Sequence, residues 1–140
     1  MIPNVEDFLA CRRIAIVGVS HQPKDFSRML FRAFRDRDFD VVPVNPNARE
    51  IEGQDCYPRV QDVAPRVQAA LLMTAPTMTA TVVKDCIAAG IERVWMYRRS
   101  PEAEALCAAA GLKTIAGECP MMFLPQVGWI HRFHRWIKRA

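Results

Sequence analysis

The side chains best suited to chemistry gather just after a short apolar run. Ile14-Ala15-Ile16-Val17-Gly18-Val19 leads into Ser20, Lys24 and Ser27. Gly18 permits a tight backbone turn, the two serines offer hydroxyls, and Lys24 adds a positive charge. Where such a loop opens a helix, unpaired N–H groups and a partial positive charge make the N-terminus attractive to an anion. The spacing is not G-x-G-x-x-G, and one glycine after a strand serves a plain turn as well as a phosphate site. Asp25 stands among these donors, and an acid there repels a phosphate. A second run, Val41-Val42-Pro43-Val44, ends in Asn45-Pro46-Asn47. An NAD-binding unit places Asp or Glu at that point to hold the ribose hydroxyls, and its absence speaks against a dinucleotide. Pro43 and Pro46 also fit an ordinary strand-end turn.

Other groupings carry less. Cys119-Pro120 offers a thiol for a mixed disulfide or for sensing oxidation, against the plainer role of a small buried hydrophobe, which is favoured. Cys86 and Cys107 read as packing. Arg98 and Arg99 follow a strand-like run and read as solvated, with phosphate contact the alternative. His131 and His134 share a helical face, but no further ligand lies near them in sequence, so no metal site is expected. No Ser-His-Asp order or paired carboxylate stands at a strand end, and no catalytic residue is assigned.

The elements that must position these residues alternate. Phe26, Leu30, Ala33 and Phe34 form one helical stripe after the first strand. Leu71-Leu72-Met73 and Val94-Trp95-Met96 are further strand-like runs, each followed by a helical stretch. Cys86-Ile87-Ala88-Ala89-Gly90-Ile91 is echoed by Cys107-Ala108-Ala109-Ala110-Gly111-Leu112, two helix ends each stopped by glycine. β-branched runs without polar alternation belong to strands covered on both sides. The chain therefore reads as α/β, a Rossmann-like doubly wound parallel sheet of about five strands with helices on both faces.

At 140 residues the chain has room for one domain, with 51% hydrophobic and 24% charged residues. The net charge of +4 lies in the last ten residues, leaving fifteen basic and fifteen acidic side chains before them. A neutral body argues against a nucleic-acid surface. No secretory signal or membrane-spanning run is evident, and five cysteines without a C-x-x-C pair predict a cytoplasmic protein with reduced thiols. The expected organisation is a binding domain over residues 1–124 and a basic amphipathic helix over 125–140. That helix carries Trp129, Ile130, Phe133, Trp136 and Ile137 on its apolar side. Its expected place is on its own domain, ahead of a homodimer interface and, third, a membrane surface.

The combination of 14–20 (IAIVGVS), Ser27, 42–47 (VPVNPN), 50–58 (EIEGQDCYP), 88–91 (AAGI) and Cys119-Pro120 resembles the small stand-alone CoA-binding domain proteins. These are similar to the N-terminal CoA-binding domain of the succinyl-CoA synthetase α subunit. The resemblance implies CoA, or a related adenine nucleotide, lying across Gly18, Val19, Ser20, Lys24 and Ser27, the Asn45-Pro46 turn, and Thr74-Ala75-Pro76. The residues after 124 are too few for the domain that carries the synthetase's phosphorylated histidine, so ligase activity is not expected. The expected function is a non-catalytic CoA binder. The alternative is an NAD(P)-type oxidoreductase or a thiol redox regulator using Cys119.

Overall fold

The computed structural model of the chain describes residues 2–125. Its strands follow the apolar runs: β1 (Arg13–Val17), β2 (Asp40–Val44), β3 (Glu50–Ile51), β4 (Gln54–Asp55), β5 (Ala69–Leu72), β6 (Arg93–Met96) and β7 (Lys113–Ala116). Five of them form one parallel sheet in the order β2-β1-β5-β6-β7, and β3 and β4 make a separate antiparallel hairpin. This is the Rossmann-like sheet expected from the sequence.

Period-two alternation sorts the strand residues into two cores. Ile14, Ile16, Leu71 and Trp95 face α1 (Val5–Ala10) and α2 (Phe26–Arg35), meeting Phe8, Leu30, Phe31 and Phe34. Ala15, Val17, Leu72, Val94 and Met96 face α3 (Pro76–Ala88) and α4 (Pro101–Ala109), meeting Val83, Cys86 and Cys107. Every one of these side chains is at most 7% exposed. At about 1.5–3 kcal/mol per fully buried large apolar side chain, the two-sided burial is what holds the sheet.

The echoed helix ends close in the same way. Gly90 and Gly111 adopt φ of 76° and 73°, and the Ile91 and Leu112 N–H groups donate back to the Cys86 and Cys107 carbonyls at 3.0 and 2.9 Å. With the Gly90 and Gly111 N–H groups donating to the Ile87 and Ala108 carbonyls at 3.1 and 3.2 Å, each end completes the Schellman arrangement that glycine permits at little cost. Both cysteines are fully buried, in keeping with a packing role.

Among the described residues, no helix is long and apolar enough to cross a membrane. The expected amphipathic helix over 125–140 lies, from residue 126 on, outside the described residues, as do His131 and His134.

Candidate functional site

From β1 the chain crosses outward to β2, then returns to place β5 on the other side of β1. The crossings therefore diverge between β1 and β5, the position at which open α/β sheets bind ligands beyond their carboxyl ends. A cleft of about 300 Å³ lies there, on the α3 side of the sheet. Gly18, Pro46, Thr74 and Ala75, all expected site residues, line it. Its apolar wall comes from Val17, Val44, Val60, Met78 and Val82. A volume at the low end of ligand clefts suits one ring system lying flat, not a whole extended cofactor. A shallower hollow of about 470 Å³ lies at the outer edge of β7, lined in part by Asn4, Arg99 and Glu104. It is larger but stands away from the point where the crossings diverge, so the β1–β5 cleft is the better candidate.

The other expected residues, Val19, Ser20, Lys24, Ser27, Asn45 and Pro76, are not among those lining the cleft and are held in different ways. Asn45 ties β2 to the loop after β1: its side-chain N–H donates to the Val19 carbonyl at 2.7 Å, and its Oδ1 accepts from the Asn47 N–H at 2.8 Å. Val19 is fully buried, backbone included, and its carbonyl is the one that Asn45 holds. Pro76 is the first residue of α3, with its fixed φ suited to that position. Thr74 and the buried Thr79 share a hydrogen bond of 2.8 Å, and the Thr79 hydroxyl also donates to the Ala75 carbonyl at 3.1 Å.

The start of α2 is internally satisfied. Asp25 is its N-cap and accepts from the Ser27 N–H at 2.9 Å and from the Ser27 hydroxyl at 2.5 Å. The Ser27 oxygen in turn accepts from the Ser20 N–H at 2.9 Å. The bonds from the Ser27 hydroxyl and amide, helped by the nearby charge of Arg98 and opposed by burial, hold the Asp25 carboxyl below the usual carboxylate range. The acid that the sequence marks as repelling a phosphate thus already occupies the helix terminus where an anion would sit. Lys24 and His21 are exposed on the same loop.

Arg98 stands close enough to act on Asp25, whereas Arg99 pairs with Glu104 at 2.7 Å. Cys119 is half-buried and is not among the residues lining the cleft.

Five residues that matter here were not expected from the sequence. Met78, Val82 and Asp85 fall at i, i+4 and i+7 of α3, a spacing that marks one helix face. Arg59 arrives from the turn after β4 and pairs with Asp85 at 2.8 Å, closing one end of the cleft. The fifth is Glu52, at the tip of the β3–β4 hairpin and outside the cleft lining. Burial pushes its carboxyl up, but hydrogen bonds from Arg28, Arg35 and Arg32 outweigh this and leave it below the usual range.

A family model described as a CoA binding domain matches residues 12–125. The chain is 25% identical over 134 residues to the ADP-forming acetate–CoA ligase I of Archaeoglobus fulgidus, covering 87% of this chain and 20% of the ligase. It is 22% identical over 118 residues to the ADP-forming acetate–CoA ligase of Methanocaldococcus jannaschii, covering 77% and 17%. The chain thus spans a fifth or less of the length of these ligases. Among solved structures, a hypothetical protein from Pyrococcus horikoshii superposes with a TM-score of 0.79 at 30% identity, covering 84% of each chain. A conserved hypothetical protein from Pyrococcus furiosus gives a TM-score of 0.75 at 31% identity, covering 79% of this chain and 97% of that one.

Proposed function

The chain belongs to the CoA-binding domain family, and on that premise we propose that it is a non-catalytic module holding CoA or a related adenine nucleotide. The observation that carries this reading is the apolar cleft at the carboxyl ends of β1 and β5, flanked by the Gly18–Ser27 loop. The adenine ring enters the cleft between Pro46 and Met78, and the phosphates lie toward Ser20, Lys24 and Arg98. Binding without chemistry is supported by how the cleft's ionised groups are used. Arg59 and Asp85 face each other, and the rest of the lining is apolar or threonine.

CoA at 100 times its Kd should stabilise the folded chain by about 2.7 kcal/mol, a rise of roughly 6–10 °C in Tm for a chain of this size. NAD should raise it less, because the residue after β2 is Asn45, whose side chain is already bonded to Val19 and Asn47. A larger shift with NAD than with CoA at equal concentration sinks the proposal and favours the oxidoreductase alternative.

The phosphate placement has its own test. Asn caps a helix about as well as Asp, so Asp25→Asn removes the charge and keeps α2. Lysine there would lose the cap as well. CoA affinity of Asp25→Asn should rise several-fold at low ionic strength, and the gain should shrink as salt screens the interaction. Isothermal titration at two salt concentrations measures both. Unchanged affinity at low salt places the phosphates elsewhere.

A further inference from the structure

Glu52 draws three guanidinium groups to one carboxylate. Arg28 Nε and Arg32 donate to its Oε2 at 3.0 Å each, and Arg35 donates to Oε1 at 2.8 Å. The arginines fall at i, i+4 and i+7 of α2, so one face of the helix is bolted to the hairpin tip. The same guanidiniums have a second set of acceptors. Arg28 donates to the carbonyls of Ser20 and His21 at 3.2 Å each, and Arg32 donates to the carbonyl of Pro23 at 3.0 Å. Three carbonyls of one loop are thus drawn toward α2 by side chains that Glu52 fixes.

The peptide geometry gives this a consequence. In a trans peptide the C=O and the following N–H point in opposite directions. Drawing in the Ser20, His21 and Pro23 carbonyls turns the N–H groups of His21, Gln22 and Lys24 the other way. The Gln22 N–H is taken by the Ser20 hydroxyl at 3.0 Å. Those of His21 and Lys24 have no acceptor among the described residues. Carbonyl oxygens facing an anion repel it and N–H groups attract it, so the direction of these peptides decides whether the loop suits a phosphate. Arg28 is nearly buried, with its side chain 9% exposed, so its guanidinium is held in one place.

We propose that Arg28, fixed by Glu52 of the β3–β4 hairpin, is a positioning residue that sets the peptide directions of the Ser20–Lys24 loop and thereby tunes its affinity for the ligand's phosphates. The proposal rests on the CoA reading above and adds the hairpin to the binding apparatus, although the hairpin lies outside the cleft. Glu52→Gln keeps the shape of the side chain and removes the charge that orders the arginines. Arg93→Met serves as the comparison, because Arg93 pairs with Asp7 at 2.5 Å, at the amino end of β6 and far along the sheet from the loop.

CoA titration of both variants, with hydrogen exchange of the ligand-free proteins, is the test. Glu52→Gln should weaken CoA binding about tenfold and speed exchange in the peptide spanning 18–26. Arg93→Met should leave both unchanged even where its Tm falls as far. Equal weakening by the two variants, or faster loop exchange in Glu52→Gln with CoA affinity intact, reduces the network to a structural one and overturns the proposal. Loop exchange that does not change in Glu52→Gln overturns the clamp itself. A wild-type chain that binds no CoA sinks the ligand assignment, while the exchange comparison still decides whether the hairpin holds the loop.

Discussion

Gly18→Val should cost about 3 kcal/mol or more of stability in the absence of any ligand, lowering Tm by roughly 10 °C. Gly18 holds φ at 92°, a region that a β-branched residue adopts only under strain. A Cβ built there lies 3.2 Å from both the carbonyl carbon and the oxygen of Met73, and 3.5 Å from Cγ2 of Thr74. Met73 is not free to retreat, since its N–H donates to the Val17 carbonyl at 2.8 Å, continuing the β1–β5 ladder. Gly18 itself donates to the Val44 carbonyl at 2.9 Å, so three strands meet at this residue. Thermal unfolding of the variant without ligand is the measurement. A Tm within about 2 °C of the parent contradicts the account, because neither the strain nor the contact could then be real.

The consequence for function is a separation of two roles. From the sequence, Gly18 serves a tight turn or a phosphate approach, and the close contact with Met73 gives the turn and the strand packing enough reason on their own. Loss of CoA binding in a Gly18 variant therefore says little about the ligand. Asp25→Asn is the more informative change at this loop, because it removes a charge while leaving the cap and the backbone in place.

The parts of the molecule legible in the sequence are those set by periodicity over adjacent residues. The two-sided apolar runs give four of the five sheet strands, and the glycine-stopped echo gives the matching ends of α3 and α4 and points to the strand that follows each. The stripe of Phe26, Leu30, Ala33 and Phe34 gives α2, with Phe26 half-buried against Tyr97 at a ring distance of 5.4 Å. The hairpin was not legible, since strands of two residues carry no period, and nothing local marks Glu52 as the partner of arginines 17 to 24 positions away. Asp25 was legible as an acid among donors but not as a cap. That role depends on its side chain folding back onto Ser27, which local bonds of Asp permit without requiring.

Trp95→Ala should be the other large loss, about 3–5 kcal/mol and roughly 10–15 °C in Tm. Trp95 is fully buried on β6, between β5 and the edge strand β7, edge-on to Phe8 at 5.3 Å and to Phe123 at 5.8 Å. Its ring therefore joins α1 and the segment after β7 to β6. Its indole N–H donates to the Glu118 carbonyl at 2.9 Å, and Cys119 is the next residue. The thiols report which of these contacts matters. Cys56, Cys86 and Cys107 are buried, and burial raises all three, Cys86 to about 12, so they should resist a thiol reagent in the folded chain. Cys11 and Cys119 are half-buried and should react first. Trp95→Phe keeps an aromatic ring but deletes the donor, at a cost of about 1 kcal/mol for the bond, and adds the cost of the space that the smaller ring leaves. If the indole bond fixes the 118–119 segment, Trp95→Phe should speed modification of Cys119 several-fold and leave Cys11 unchanged, whereas Trp95→Ala should speed both. Equal rates at Cys119 in the parent and in Trp95→Phe would show that ring packing alone holds the segment.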